Sequence, residues 1–215
     1  MGRPRDDARR KELLTAAVRY TQQHGLFGLT LRPLADELGT STRNLLHHFG
    51  SREELIDRIV DEVLAGQLEA SRALLSRIRA QGADAPNLSP GAVADVIAGG
   101  LDLAWTQGTS PEGRTRMAMF FEIQAAAARD PRLHDRFVAP MISEWVTPMA
   151  QALEEAGVAD AVSLAHRILA VHRGLLLQAT AGGLTPETDA AHRDAVEAIR
   201  REIGAARAQD PRQPG

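Results

Sequence analysis

Apolar residues recur at helical spacing along most of the chain, and small or turn-forming residues separate the repeats. The first segment predicts a helix over Asp7–His24. Gly25 follows it and suits the left-handed position just beyond a helix C-terminus. The pattern therefore predicts a chain built from helices, starting close to the N-terminus.

Two short helices are predicted next, each preceded by a hydroxyl residue that is suited to cap it. Thr30 precedes a helix over Leu31–Leu38, and Ser41 precedes one that runs from Thr42 to His48 or Phe49. Gly39 supplies the tight turn between them. Pairs of short helices joined by such a turn are typical of a helix-turn-helix.

A long helix is predicted after Ser51, where Glu54 stands at capping-box spacing, and it continues to Gln81-Gly82. Proline residues 140 and 148 are expected to break or bend a later helix. The tail over residues 209–215 is expected to be disordered. The remaining predicted helices are Ala92–Thr106, Glu112–Arg129, Leu133–Ala156, Ala161–Ala181 and Glu187–Ala208.

Composition supports an all-α fold and removes several chemistries. Hydrophobic residues make up 44% of the 215 residues, but aromatic residues only 4%, and alanine and leucine dominate. The chain has no cysteine, which excludes disulfides, thiolate catalysis and cysteine-based zinc sites. The N-terminal segment lacks the apolar core of a secretion signal, and no apolar run reaches the ~18 residues of a membrane span. We therefore expect a cytoplasmic protein with no membrane partner.

Charge is distributed unevenly along the chain. Residues 1–52 contain nine lysines and arginines against five aspartates and glutamates, whereas the remainder contains 16 against 23. A basic N-terminal part on an acidic remainder is expected when one end of a protein meets a polyanion, although chance scatter of surface charge gives the same count.

The second short helix is amphipathic. At about 100° per residue, Leu45, Leu46 and Phe49 fall within an arc of about 100° and are expected to face the protein. The opposite side presents the polar residues Arg43, Asn44, His47 and His48. Hydrogen-bonding side chains on the outer face of such a helix favour insertion into the major groove of DNA.

The segments "LLTAAVRYTQQHG", "LTLRPLADELGTS" and "LLHHFGSREEL" between Leu13 and Leu55 resemble the N-terminal domain of TetR-family transcriptional regulators. The resemblance implies a three-helix helix-turn-helix domain over residues 1–52, and a helical effector-binding and dimerisation domain over residues 53–208. Three positions depart from the family pattern. Leu46 replaces a usual tyrosine, Arg43-Asn44 a small Gly-Thr pair, and Arg52 a common lysine.

Base contacts are expected from the middle of the second short helix. Arg43 suits guanine through paired hydrogen bonds, and Asn44 suits adenine or a phosphate. His47 faces outward and is expected to contact DNA. Thr42 suits a phosphate or a thymine methyl group, although Ser41 and Thr42 are equally suited to cap the helix.

Phosphate contacts are expected around this helix. Arg32 and Arg52 stand at helix N-termini, where backbone amides and a guanidinium together favour an anion. By its place in the motif, His48 resembles the family's phosphate-contacting histidine. Thr30 adds a hydroxyl contact or simply caps its helix. The arm Arg3-Pro4-Arg5 lies along a groove or serves as a solubilising tail.

The resemblance also implies a cavity for an unknown small-molecule effector. An apolar lining with few polar groups suits an apolar or aromatic effector, although most of these side chains belong to the core in any interpretation. The pocket candidates are Trp105, Met117, Phe120, Phe121, Gln124, Phe137, Met141, Trp145 and His172.

The last two predicted helices have broad apolar faces, which predict a homodimer, with packing inside one subunit as the alternative. A two-fold dimer predicts a palindromic operator in double-stranded DNA with half-sites about one helical turn apart. The interface candidates are Val162, Leu169, Leu176, Val196, Ile199 and Ile203.

Other functions fit the sequence less well. The adjacent His47 and His48 point about 100° apart, and no carboxylate or cysteine joins them, so no metal site is predicted. No catalytic motif, catalytic residue or cofactor-binding motif is present, so no enzyme is predicted. The favoured hypothesis is a repressor that an effector releases from its operator. A regulator without a small-molecule effector, constitutive or controlled by a protein partner, is the alternative.

Overall fold

The computed structural model describes residues 3–82 and 89–205, except for the side chains of residues 3–5, 70, 73–75 and 77–82. Within these ranges the chain forms helices and no strand, as the composition predicted. The first four helices are α1 (Arg3–His24), α2 (Leu31–Glu37), α3 (Thr42–Phe49) and α4 (Arg52–Gly82). The C-terminal ones are α5 (Pro90–Thr109), α6 (Pro111–Ala127), α7 (Pro131–Leu133), α8 (Ala139–Glu155), α9 (Ala161–Gly182) and α10 (Pro186–Ala205).

Serine side chains cap the starts of α3, α4 and α5, of which α5 begins two residues before its predicted start at Ala92. The Oγ atoms of Ser41, Ser51 and Ser89 each accept a backbone N–H from the first turn of the following helix, at 3.1, 3.0 and 3.3 Å. Thr30 stands before α2 but makes no side-chain capping bond. Residues 206–208 of the last predicted helix and the predicted disordered tail lie outside the described residues.

The two prolines of the predicted 133–156 helix do not break it. Pro148 lies inside α8, and Pro140 is the second residue of α8. A π-helical turn, His134–Val138, connects α7 to α8, with the Ala139 N–H donating to the carbonyl of His134. This turn ends at Val138, two residues before Pro140, whose missing N–H leaves one ordinary helix bond unmade.

The described residues divide into two compact units, the first within residues 1–67 and 118–139 and the second within residues 68–117 and 140–215. The boundary predicted after residue 52 falls at the start of α4, whereas the first unit extends along α4 to residue 67. Helix α4 and the α6–π segment each contribute residues to the first unit. The core of the first unit contains Leu13, Leu26, Leu34, Leu45, Phe49, Leu55, Ile59, Ile123 and Phe137.

The second unit has its own apolar core, which α5, α8, α9 and α10 share. Small residues allow close helix packing there. A Cβ at Gly108 would lie 2.7 Å from the side chain of Leu176, and one at Gly113 would collide with the carbonyl of Gln107. The core residues include Val93, Ile97, Leu101, Val146, Leu153, Leu164, Ile168, Leu169, Val196 and Ile203.

Candidate DNA-binding surface

Helix α3 is fixed at both ends and along one side. Ser41 caps its N-terminus, and Gly50 ends it with a positive φ of 83°. The Gly50 N–H donates to the carbonyl of Leu46 at 2.8 Å. Leu45 and Phe49 are buried in the first unit. The outer side chains of α3 are therefore held on a rigid support.

The buried side of α3 differs from the predicted one at two positions. Leu46 is 39% exposed, although the helical pattern placed it in the core. The side chain of His48 is 7% exposed, although the pattern placed it on the polar face. The buried arc consists of His48, Leu45 and Phe49, which is the predicted arc rotated by about 60°.

The prediction that His48 contacts phosphate is not supported by its position. Its Nδ1 lies 3.3 Å from a carboxylate oxygen of Asp6 on α1. This pairing satisfies a polar group that would otherwise be buried without a partner. His48 therefore joins α3 to α1, and its ring is directed toward the protein.

The outer face of α3 presents Arg43, Leu46 and His47, all exposed, with Thr42 half-buried beside them. Within the described part of the chain, Arg43 makes no hydrogen bond or ion pair. Asn44 is half-buried, and its side-chain amide donates to Thr40 Oγ1 at 2.9 Å. Asn44 therefore stabilises the turn before α3, and a base contact from it would have to replace this bond.

On α2, Arg32 is exposed and makes no polar contact with another described residue. The Thr30 side chain is exposed as well. Both positions remain compatible with the predicted phosphate contacts.

The guanidinium of Arg52 is largely engaged by other groups of the protein. Its Nε donates to the carbonyl of Leu29 at 2.6 Å, and a terminal nitrogen donates to the carbonyl of Phe27 at 3.0 Å. Another terminal nitrogen lies 3.4 Å from Glu53. Arg52 therefore holds the α1–α2 loop against the start of α4, and its predicted phosphate contact would have to use the remaining N–H groups.

The same loop is held from its other side by Glu122 of α6, a residue that sequence analysis missed. The Leu26 N–H donates to both carboxylate oxygens at 3.0 Å, and the Phe27 N–H donates to one of them at 3.0 Å. Glu122 is 96 positions from Leu26, so no local pattern indicated this contact.

Arg136 in the π-helical turn makes a second connection within the first unit. It pairs with Asp57 at 3.0 Å and with Asp61 at 2.6 Å, both on α4. The hydrogen bond to Asp61 is the main reason that the pKa of Arg136 is raised above its usual value.

The basic N-terminal segment is partly described. Arg9 pairs with Glu12 at 3.1 Å, and the Arg10 guanidinium lies over the Phe49 ring at 5.9 Å. The Arg3-Pro4-Arg5 backbone forms the first residues of α1. The side chains of Arg3, Pro4 and Arg5 lie outside the described residues, so the predicted role of this arm stays a prediction.

The predicted pocket residues are divided between the two units. Phe120, Phe121, Gln124 and Phe137 belong to the first unit, where the Phe120 ring contacts both other phenylalanines. The second unit contains Trp105, Met117, Met141, Trp145 and His172. Two of these residues have a buried polar atom without a hydrogen-bond partner, Oε1 of Gln124 and Nδ1 of His172.

His172 belongs to a polar cluster within the apolar core of the second unit. Trp105 stacks on His192 with ring centroids 4.5 Å apart, and its Nε1 donates to Asp189 at 3.0 Å. His192 lies 2.9 Å from a carboxylate oxygen of Asp102. Burial, with added repulsion from His192 and Arg173, lowers the pKa of His172 to about 4, so its imidazole is neutral at physiological pH.

The predicted dimer residues lie mainly inside the subunit. Leu169, Leu176, Val196 and Ile203 are buried, and Ile199 packs against the core. Of the six, Val162 alone is strongly exposed, at 51%. The exposed apolar side chains of α9 also include Val171 and Leu177. The periodic pattern therefore identified mainly the faces of α9 and α10 that pack inside the subunit, and not the faces that are exposed to solvent.

Among the described residues, no group of histidine, cysteine, aspartate or glutamate side chains is arranged to hold a metal ion. Within the same described residues, no helix is both long and apolar enough to cross a membrane.

Two short helices joined by a turn, with a supported second helix whose outer face is polar, define the class of helix-turn-helix proteins. A family model described as bacterial regulatory proteins of the tetR family matches residues 13–59. A model described as the tetracyclin repressor-like C-terminal domain matches residues 88–204. The chain belongs to the TetR family of bacterial transcriptional regulators. This confirms the predicted family and a regulator rather than an enzyme.

Individual relatives of this chain are also transcriptional regulators of the helix-turn-helix type. The transcriptional repressor KstR2 of Mycobacterium tuberculosis is 41% identical over 63 residues, which are 29% of this chain and 30% of that repressor. The regulator BetI 2 of Chromohalobacter salexigens is 28% identical over 186 residues, covering 83% of this chain and 79% of that protein.

Solved structures confirm the all-α fold. A transcriptional regulator from Rhodococcus sp. has a TM-score of 0.66 at 18% identity, covering 95% of this chain and 99% of that one. A regulator from Saccharomonospora viridis in complex with choline has the same TM-score and identity, covering 90% and 96%.

Proposed function

We propose that the protein is a homodimeric cytoplasmic repressor that binds a palindromic operator through α3 and is released by a small-molecule effector. The observation that carries the DNA-binding part is the outer face of α3. Arg43 and His47 are exposed on a helix whose other side is buried, and Arg43 has no partner in the described part of the chain. Such a guanidinium suits the paired acceptors of guanine in the major groove.

Arg32 complements these base contacts. It is exposed on the helix that precedes α3 and suits a backbone phosphate. Contacts of this kind fix the position of the protein on the duplex, whereas Arg43 and His47 distinguish bases.

In vitro selection of bound DNA from random duplexes tests this part of the proposal. We expect a palindrome with half-sites about one helical turn apart. Arg43→Ala is expected to relax base preference at one position per half-site, with a loss of roughly 1–3 kcal/mol. His134→Ala, an exposed change outside α2 and α3, is the matched control. Selection that yields no enriched sequence at low salt would overturn the proposal.

The dimer is supported by the outer surface of α9 and α10. On α9, Ala170, Gly174, Leu177 and Ala181 are exposed and fall within a strip of about 60°. Nothing lies within 4 Å of a Cβ placed at Gly174. On α10, Ala191, Ala198 and Ala205 are also exposed. Small residues beside an exposed leucine suit close packing against a second copy of the same helices.

Leu177→Arg tests the dimer, because a charged side chain at the centre of the strip would have to be desolvated on association. Sedimentation velocity is expected to show a dimer for the unchanged protein and a monomer for this variant. Phe27→Arg, which adds the same charge at an exposed apolar residue of the first unit, is expected to remain dimeric. A monomeric unchanged protein at micromolar concentration would contradict this part.

Effector release is supported by the buried Nδ1 of His172 in the second unit, which has no hydrogen-bond partner among the described residues, since such groups are rare in folded proteins without a ligand or water. The apolar core that surrounds the polar cluster of His172 favours an apolar or aromatic effector with a single hydrogen-bonding group. An effector that binds better to a conformation unable to span both half-sites lowers operator affinity, and DNA must weaken effector binding by the same factor.

The effector is sought by measuring operator binding across a metabolite library by fluorescence anisotropy. His172→Phe, which keeps a ring but removes the nitrogen, is expected to weaken the response to an active compound without changing basal affinity. Operator affinity that no compound changes would favour the alternative, a regulator without a small-molecule effector.

A further inference from the structure

The exposed leucine of α3 is not explained by the core of the first unit. Leu46 is 39% exposed, whereas the apolar residues before and after it on the helix, Leu45 and Phe49, are 1% and 4% exposed. It lies on the outer side with Arg43 and His47, within an arc of about 100°. Leu46 is thus an apolar group in the middle of a polar surface.

We infer that Leu46 is a specificity-determining residue that contacts the 5-methyl group of a thymine in each operator half-site. In the major groove the thymine methyl is the apolar feature of the base-pair edges, and aliphatic side chains recognise it by contact. Leucine has no hydrogen-bonding atom, so it discriminates by burying apolar surface. This inference rests on the proposed binding of DNA through α3.

Neighbouring contacts give Leu46 a fixed position. Its carbonyl accepts the Gly50 N–H at 2.8 Å, and Leu45 and Phe49 anchor the helix on its other side. The side chain is therefore presented from a short, capped helix with little freedom to withdraw. Arg43 and His47 lie beside it, so the contacted thymine is expected to be adjacent to the base that Arg43 contacts.

The test removes the methyl group from the DNA and the side chain from the protein in turn. An operator is first selected with the unchanged protein, and each thymine is then replaced by deoxyuridine, which differs only by the methyl group. Operator affinity is measured by anisotropy at one salt concentration. For the unchanged protein we expect one thymine per half-site at which replacement weakens binding about fourfold, the worth of one buried methyl-sized group.

In Leu46→Ala the same replacement is expected to have no effect, while affinity for the thymine operator is reduced at least fourfold. Alanine favours the helix, and the side chain is exposed, so the variant is expected to fold, as circular dichroism and thermal unfolding will check. Phe27→Ala, which truncates an exposed apolar residue outside α3, is expected to keep the full sensitivity to deoxyuridine.

The outcomes separate this inference from the proposed function. If no DNA is enriched, binding through α3 itself is refuted. If DNA is enriched but no thymine is sensitive to loss of its methyl group, or if Leu46→Ala retains that sensitivity, the role of Leu46 is refuted while DNA binding stands.

Discussion

Replacing Glu122 by glutamine tests how the α1–α2 loop is held. The carboxylate accepts the Leu26 and Phe27 N–H groups through three contacts of 3.0 Å. Hydrogen bonds to a charged group contribute roughly 1.5–3 kcal/mol, and neutral ones roughly 0.5–1.5 kcal/mol. Glutamine keeps one acceptor oxygen but loses the charge and the second acceptor. We therefore expect the loop to lose about 2 kcal/mol of local stability.

Hydrogen exchange at individual backbone amides measures this loss directly, because local opening controls exchange in folded proteins. About 2 kcal/mol corresponds to roughly thirtyfold faster exchange at the two amides. Glu122→Ala leaves both N–H groups without their acceptor and is expected to accelerate exchange further. Glu12→Gln is the control, because Glu12 and its partner Arg9 are both at least half exposed.

Unchanged protection of the Leu26 and Phe27 amides in Glu122→Gln would refute the assignment. Equal acceleration across α1 and α2 would also refute it, because the contact would then stabilise the whole unit and not this loop.

Three further changes probe other parts of the molecule. Gly66→Ala is expected to raise the free energy of unfolding by about 1 kcal/mol, because nothing lies within 4 Å of the new Cβ on α4. Gly50→Ala is expected to lower it by about 1–3 kcal/mol, because φ is +83° and the Cβ would meet Glu54. Urea unfolding compares the two variants. The pKa of His172 is about 4 in the folded protein, below the unfolded value of about 6.5, so the free energy of unfolding is undiminished above pH 6.5. As the pH falls to 4, the unfolded state binds the proton first and about 3 kcal/mol of stability is lost. A stability–pH profile that His172→Gln does not flatten would contradict this. Arg52→Ala is expected to destabilise the α1–α2 loop but leave the salt dependence of operator binding unchanged. Arg32→Ala is expected to lower the slope of log affinity against log salt by about 0.9. A lowered slope for Arg52→Ala would instead support its predicted phosphate contact.

Sequence patterns predicted the helices well where the decisive contacts are local. The Ser41 and Ser51 caps and the turn at Gly50 act within four residues, so α3 and the start of α4 lie where expected. The α3 face was less predictable. His48 turns inward because Asp6 on another helix supplies a partner, and a helical wheel contains no information about that partner.

Roles that depend on distant chain segments were missed for the same reason. Arg52 has the position of a phosphate ligand, but the acceptors that engage it are loop carbonyls at Phe27 and Leu29. Glu122 has no sequence signal at all, since its partners are backbone amides. The apolar repeats of α9 and α10 satisfy either a subunit core or a subunit interface, and periodicity does not distinguish the two.

The stacking of Trp105 on His192 gives the second unit a natural optical probe. The chain contains two tryptophans, and Trp105 is 4% exposed with its Nε1 bonded to Asp189. A Trp145→Phe variant would leave its emission as a single signal from the place where α5 meets α10. Separation of those helices would wet the indole and shift its emission to longer wavelength, so rearrangements there can be followed in unlabelled protein.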